Sequence, residues 1–244
     1  MKFFSHRNNC IWYDNLYESV RAISPSSEVL RHLIVERERI IYTTNFLRKF
    51  ELKGKSICEM GGGGIGLACA QEIGAEVEVY DVNQWFRPIL DNFYIPWNFI
   101  DLHQPGLTLQ RSYDVILLCE VIEHIARWPA EILTELKKFL NLGGMLLVTT
   151  QNLNRLSNRL RMVAGKRLFA NFVPEELVMA HLREYTPEEI EFLFQRAEFS
   201  DVQWKLASFP DIRSPQIIKT GYNLACKLFP RLSNIIFCWA STGR

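Results

Sequence analysis

The sequence predicts an α/β protein built on a doubly wound, seven-stranded sheet with helices on both faces. Three observations carry this. Short apolar segments alternate with helical ones from residue 56 onward. Tyr113–Cys119 is apolar on both faces, as a central parallel strand is. Glycines fill the turn between the first strand and the helix after it, at Gly61–Gly64.

The elements follow in order. Residues 1–50 read as a helical N-terminal cap. Leu30, Leu33, Ile34, Ile40, Ile41 and Phe46 recur at three- and four-residue steps with charges between. Ser24-Pro25-Ser26-Ser27 divides the cap into two helices, with Ser27 as the N-cap of the second. Trp12, Tyr13 and Tyr17 are either core or a cover for a ligand site. Residues 51–244 form the main domain. Its strands are expected at Ser56–Met60, Glu76–Tyr80, Trp97–Ile100, Tyr113–Cys119, Gly144–Thr150, Asp201–Ala207 and Asn234–Ala240. Helices are expected at Leu67–Ile73 and Pro129–Leu140, the second ending through Asn141 and Gly143-Gly144. Thr186-Pro187-Glu188-Glu189 is a capping box opening a helix that runs to about Ala197. Residues 151–185 are an insertion after strand 5, expected as a substrate-side lid. Its Leu153, Leu156, Leu160 and Val163 share one helical face, placed to dock on the core.

Composition narrows the function. Of 244 residues, 48% are hydrophobic and 23% charged, which excludes a disordered chain. Lys plus Arg (28) nearly balances Asp plus Glu (27), so a general polyanion-coating protein is not expected. The charge is unevenly spread. Residues 1–150 carry 18 acids and 15 bases, whereas residues 151–174 carry Arg155, Arg159, Arg161, Lys166 and Arg167 and no acid. The C-terminal segment is basic as well, with one acid among residues 202–244. That surplus suits an anionic or phosphate-bearing small-molecule acceptor, or contact with an anionic membrane surface. Six cysteines form no CxxC pair, and no apolar run approaches a membrane span. The expected setting is cytoplasmic.

The glycine loop holds most of the chemistry. Gly61, Gly63 and Gly66 match G-x-G-x-x-G at a strand-to-helix turn, where backbone N–H groups can approach a ligand. Asp81 follows 20 residues after Gly61, at the end of the next strand, placed to accept ribose hydroxyls. Those features fit any adenosine cofactor. Further segments choose among them. Glu59-Met60-Gly61-Gly62-Gly63 resembles motif I of class I S-adenosylmethionine-dependent methyltransferases. Phe99-Ile100-Asp101-Leu102 resembles the family's adenine-binding position. Tyr113-Asp114-Val115-Ile116-Leu117-Leu118-Cys119-Glu120-Val121-Ile122-Glu123-His124-Ile125 resembles the fourth-strand signature of its small-molecule members. The resemblance covers about residues 50–200 and implies a Rossmann-like methyltransferase sheet. It implies S-adenosyl-L-methionine as cofactor, held by Glu59, Gly61, Gly63, Asp81, Asp101, Leu102, Cys119 and Glu120. In the family pattern a third glycine would stand where this chain has Ile65, and glycine is displaced to Gly66.

Two histidines are candidate catalytic residues for taking a proton from an acceptor hydroxyl. His124 lies beyond the C-terminal end of the fourth strand, flanked by Glu120 and Glu123. His181 lies in His181-Leu182-Arg183-Glu184-Tyr185-Thr186, a segment that resembles bacterial methyltransferases of sugar and surface-glycan pathways. There Arg183 and Tyr185 are candidate substrate-binding residues. No metal is expected, because adjacent residues such as Glu120, Glu123 and His124 rarely converge on one ion. The expected activity is methyl transfer to a hydroxyl of a sugar, glycan intermediate or related metabolite. The alternatives are a non-catalytic binding protein of the same fold and a nicotinamide-dependent oxidoreductase. Nucleic-acid methylation is not expected, because Cys119-Glu120-Val121-Ile122 replaces the Asn/Asp-Pro-Pro-aromatic motif of amino-methylating enzymes.

Overall fold

A computed structural model describes residues 10–23, 25–169, 181–209 and 214–243. Two N-terminal helices come first, α1 (Ile11–Ala22) and α2 (Ser27–Leu47). The cap of α2 is Ser26 rather than Ser27: its hydroxyl accepts from the Val29 N–H at 3.3 Å. The two helices are clamped together. Tyr13 donates its hydroxyl to the Leu33 carbonyl at 2.7 Å, and buried Arg37 pairs with Asp14 and Glu38. Tyr13 is therefore core, not a cover for a ligand, and Trp12 stacks under the Arg48 guanidinium.

The main domain runs β1 (Ser56–Met60), α3 (Gly64–Ile73), β2 (Glu76–Asp81), α4 (Arg87–Asn92), β3 (Trp97–Phe99), β4 (Tyr113–Cys119), a 3₁₀ turn (Ile122–His124), α5 (Pro129–Lys137) and β5 (Leu140–Gln151). It continues with α6 (Leu156–Val163), α7 (Pro187–Arg196), β6 (Gln203–Ala207), α8 (Gln216–Leu228) and β7 (Ile235–Ser241). The sheet order is β3-β2-β1-β4-β5-β7-β6. Strands β1 to β5 are parallel, and β7 runs antiparallel between β5 and β6. All seven expected strands are present.

Three local expectations differ. Helices α4 and α8 are additional to those read from sequence. Helix α5 ends at Lys137, and Asn141 and Gly143-Gly144 belong to β5. There the β4–β5 register shifts between Tyr113 and Val115, and Gly143 takes φ +74°. A glycine relieves the bulge that this shift requires. Lastly, α6 does not dock through its leucine face, since Leu160 and Val163 are exposed. It is held by polar groups instead: buried Asn158 donates to the Leu153 carbonyl (2.9 Å) and to Glu184 (2.7 Å), and Arg155 grips the same carboxylate.

The sheet separates two apolar clusters. One holds α1, α2 and α3 against Ile57, Val115, Leu117 and Leu147. The other holds α5 and α7 against Cys58, Ile116, Leu118 and Leu146. β4 is buried from Val115 to Cys119 because both of its faces are covered. Deleting one of its larger side chains, as in Leu117→Ala, removes about 2–5 kcal/mol. This rigid centre ends at the carboxyl edge, where ligands of open α/β sheets collect. Among the described residues, no helix is long and apolar enough to cross a membrane.

Candidate active site

The glycine loop connects β1 to α3. Gly61, Gly62 and Gly63 all have positive φ, between 81° and 105°. A Cβ on Gly61 would lie 2.7 Å from Val121 Cγ2, and one on Gly63 would lie 2.9 Å from Phe86 Cδ1. Gly62 faces open space, with nothing within 4 Å. The loop thus presses its neighbouring glycines on the protein and leaves one face clear.

Glu59 lies at the end of β1 and is 3% exposed. Its carboxylate accepts the N–H groups of Ile65 (3.3 Å) and Gly66 (2.6 Å), so it caps the first turn of α3. Burial pushes the carboxyl up to about 7, against the hydrogen bonds from Gly66, Ile65 and Gly63. The displaced glycine now has a reason. A Cβ on Gly66 would meet Glu59 Oε2 at 2.6 Å and Val77 Cγ1 at 2.9 Å. Ile65 points the other way, into the core under α2.

Asp81 closes the same loop from β2. Oδ2 accepts the Gly62 N–H at 2.7 Å and Oδ1 accepts the Asn83 N–H at 2.9 Å. Each oxygen keeps a lone pair for a further donor. Beyond β3, Asp101 accepts the His103 N–H at 2.9 Å, and Leu102 is buried beside it. Cys119 is also buried, and burial pushes its thiol up to about 12, which keeps it protonated and unreactive.

Glu120 sits just past β4 in the left-handed region, at φ +56°. Non-glycine residues held there cluster at functional sites. The Thr149 hydroxyl donates to its carboxylate at 3.0 Å, and Arg39 lies 3.8 Å away. Arg39 comes from α2 and also pairs with Glu36 at 2.8 Å. Nε makes that Glu36 contact, and Nη1 is buried without a hydrogen bond among the described residues. Sequence reasoning missed Arg39. It is one charge among many in a charged helix, and only the packing of α2 over the loop, with Ile40 Cδ1 3.3 Å from a Cβ on Gly64, brings it to the site. His32, edge-on to Trp85, arrives the same way.

The two candidate histidines meet. The rings of His124 and His181 are 4.8 Å apart at 80°. The Glu123 carbonyl brings them together by accepting from Leu182 N at 2.8 Å and Arg183 N at 3.4 Å. Glu123 itself is fully buried, and its Oε2 accepts the Thr150 hydroxyl at 2.9 Å. His181 Nδ1 lies 3.5 Å from buried Glu184, which Arg155 and Asn158 hold. Arg183 and Tyr185 are placed differently. The Arg183 guanidinium grips Glu189 and lies 5.3 Å over the Tyr185 ring. Tyr185 is 4% exposed and pairs with Asn152 through the backbone.

A family model described as a methyltransferase domain matches residues 32–203. The chain belongs to that family. No curated protein matches it. Solved structures share its fold. An S-adenosylmethionine-dependent methyltransferase from Archaeoglobus fulgidus is 18% identical, with a TM-score of 0.56 over 87% of this chain and 99% of that one. The N-methyltransferase NodS from Bradyrhizobium japonicum, in complex with S-adenosyl-L-homocysteine, is 14% identical, with a TM-score of 0.56 over 95% and 100%. Phosphoethanolamine N-methyltransferase 2 of Haemonchus contortus is 15% identical, with a TM-score of 0.55 over 83% of this chain and 53% of that one. The protein is a class I S-adenosylmethionine-dependent methyltransferase. The oxidoreductase and non-catalytic alternatives give way to it. The loop, with Gly62 open and lone pairs left on Asp81, has the donors, acceptors and space that such a cofactor needs.

Proposed function

We propose that the chain methylates an oxygen of a small-molecule acceptor carrying negative charge, such as a sugar or glycan intermediate. The observation that carries this is the Glu123–His124–His181 group at the carboxyl edge of the sheet, reached from the glycine loop through Val121. When bound, S-adenosylmethionine supplies a methyl group on a positively charged sulfur, which keeps the S–C electron pair as the O–C bond forms. The rest falls to this chain. Asp81 accepts from the ribose, and Asp101 and Leu102 border the adenine. Nη1 of Arg39 meets the methionine carboxylate, and Glu120 meets the ammonium. His124 takes the acceptor's hydroxyl proton, with His181 against its ring. Alignment of acceptor and donor is the main source of rate, because the donor is already activated.

The anionic acceptor is supported by the basic run of the insertion, Arg155 to Arg167, which starts beside Glu184 and His181. Helix α8 adds exposed Ile217, Ile218, Leu224 and Leu228 beside Lys227, the pattern of a segment that rests on an anionic lipid surface. A phosphate-bearing amine is the second reading, and the product distinguishes it.

Titration calorimetry with S-adenosylmethionine, S-adenosylhomocysteine and NAD tests the cofactor. Both sulfur compounds are expected to bind and NAD is not. Asp81→Ala is expected to lose cofactor affinity, and His124→Ala to lose turnover with affinity kept. Product masses over nucleotide sugars and phosphorylated amines identify the acceptor. Methylation of neither class by a cofactor-loaded enzyme would reject the acceptor assignment.

A further inference from the structure

We propose that Glu123, His124 and His181 form a binding site for one divalent transition-metal ion of the Zn²⁺, Co²⁺ or Mn²⁺ type. One donor atom from each of the three lies within 4.8 Å of the others. A metal bonding at about 2.0–2.1 Å brings any two donors no further apart than about 4.2 Å. Closing that difference takes small rotations of the two imidazoles, which sit on a loop and a 3₁₀ turn.

The second observation is the state of Glu123. Its side chain is fully buried, and Oε1 has no hydrogen-bond partner among the described residues. A buried carboxylate oxygen without a donor is costly, and a bound cation offsets that cost directly. The other oxygen is already fixed by Thr150, which leaves Oε1 as the one that can turn to an ion.

The surroundings are those of a ligand set. Metal-bound histidines commonly turn their other ring nitrogen to a carboxylate, which fixes the tautomer. His181 Nδ1 faces Glu184, and Glu184 is held in turn by Arg155 and Asn158. That leaves Nε2 of His181 for the ion. Sequence reasoning set a metal aside because neighbouring residues rarely converge. Here the third donor comes from a distant segment, pinned by the Leu182 and Arg183 N–H groups on the Glu123 carbonyl. Glu120, which sequence grouped with this pair, turns instead to Thr149 and Arg39.

Two imidazoles and one carboxylate favour a borderline transition metal over Mg²⁺ or Ca²⁺, which prefer oxygen ligands. Three protein donors leave coordination positions open, as in catalytic rather than structural sites. Resting on the methyl-transfer reading above, those positions would take the acceptor's oxygen. A hydroxyl bound there ionises near neutral pH and releases its proton to solvent; with the ion in place this replaces proton removal by His124, whose ring nitrogen is then a ligand.

The test needs neither acceptor nor cofactor. Full-length protein is stripped with chelator and titrated with Co²⁺, Zn²⁺ and Mg²⁺ by calorimetry, with the visible Co²⁺ spectrum recorded. The expected result is one saturable site, with Co²⁺ and Zn²⁺ bound more tightly than Mg²⁺. His181→Ala and Glu123→Gln are each expected to weaken it by tenfold or more, and Glu184→Gln by about 10–100-fold. His103→Ala, exposed and outside the group, is expected to leave it unchanged. The melting temperature of each variant establishes that it is folded. No saturable site in folded wild-type protein, equal affinity in His181→Ala, or preference for Mg²⁺ would overturn the proposal. Metal binding without methyl transfer would instead count against the acceptor assignment alone.

Discussion

Arg39 and Glu59 both place ionisable groups beside the glycine loop, Arg39 from α2 and Glu59 from the end of β1. Arg39 pairs with Glu36 through Nε and leaves Nη1 buried without a hydrogen bond among the described residues, and a charged hydrogen bond is worth about 1.5–3 kcal/mol. Arg39→Met is therefore expected to weaken S-adenosylmethionine binding by about 10–100-fold, with Arg39→Lys recovering part of it. Calorimetry on both variants checks this, and unchanged affinity in Arg39→Met would remove it from the cofactor site. Glu59 has the opposite problem. Its carboxyl titrates near 7 when folded and near 4.5 when unfolded. Below 4.5 both states hold the proton. Between 4.5 and 7 only the unfolded state releases it, so stability falls as pH rises, by on the order of 3 kcal/mol once above 7. In Glu59→Gln that loss is expected to vanish, which urea unfolding at pH 5 and pH 8 would reveal. Parallel pH curves for the two proteins would sink the assignment. Glu59 was legible in the sequence through its spacing from Gly61. Arg39 was not, because nothing local marks one arginine of α2 for burial over a loop so far along the chain.

At the level of elements, local signals were read well and long-range ones poorly. The capping box of α7 spans four residues and is present with both of its bonds, Glu189 N to Thr186 Oγ1 at 3.2 Å and Thr186 N to Glu189 at 2.8 Å. Thr186→Ala is expected to cost about 1 kcal/mol, or about 2–4 °C in melting temperature. Scanning calorimetry measures it, and a shift within error would mean that packing of Ile190 and Phe194 alone sets the helix start. Helix α6 shows the other side. Its leucine periodicity pointed to an apolar docking face, yet Asn158 and Arg155 do the holding through Glu184. Periodicity reports a stripe but not whether a surface is there to receive it. The meeting of His124 with His181 is similar. It depends on two backbone bonds to the Glu123 carbonyl, and no spacing rule encodes those.

Across the whole molecule, the α/β class and all seven strands were readable from alternation of short apolar and helical segments. The reversed direction of β7 was not, because strand direction is a property of the connections rather than of the strand. A ligand that binds only the folded chain stabilises all of it. At 100 times its dissociation constant, S-adenosylmethionine is expected to add about 2.7 kcal/mol, or about 5–10 °C in melting temperature. A thermal-shift series checks this, and the gain is expected to disappear in Asp81→Ala. The strand order has a further effect on how the sheet is assembled. β6 borders only β7, and β7 lies later in the chain than everything it joins. Until β7 is in place, β6 has no strand to pair with and the β5 edge stays open. Any partly unfolded chain that has lost β7 therefore bares the Met145–Gln151 edge of β5, and that edge is where a second chain would pair.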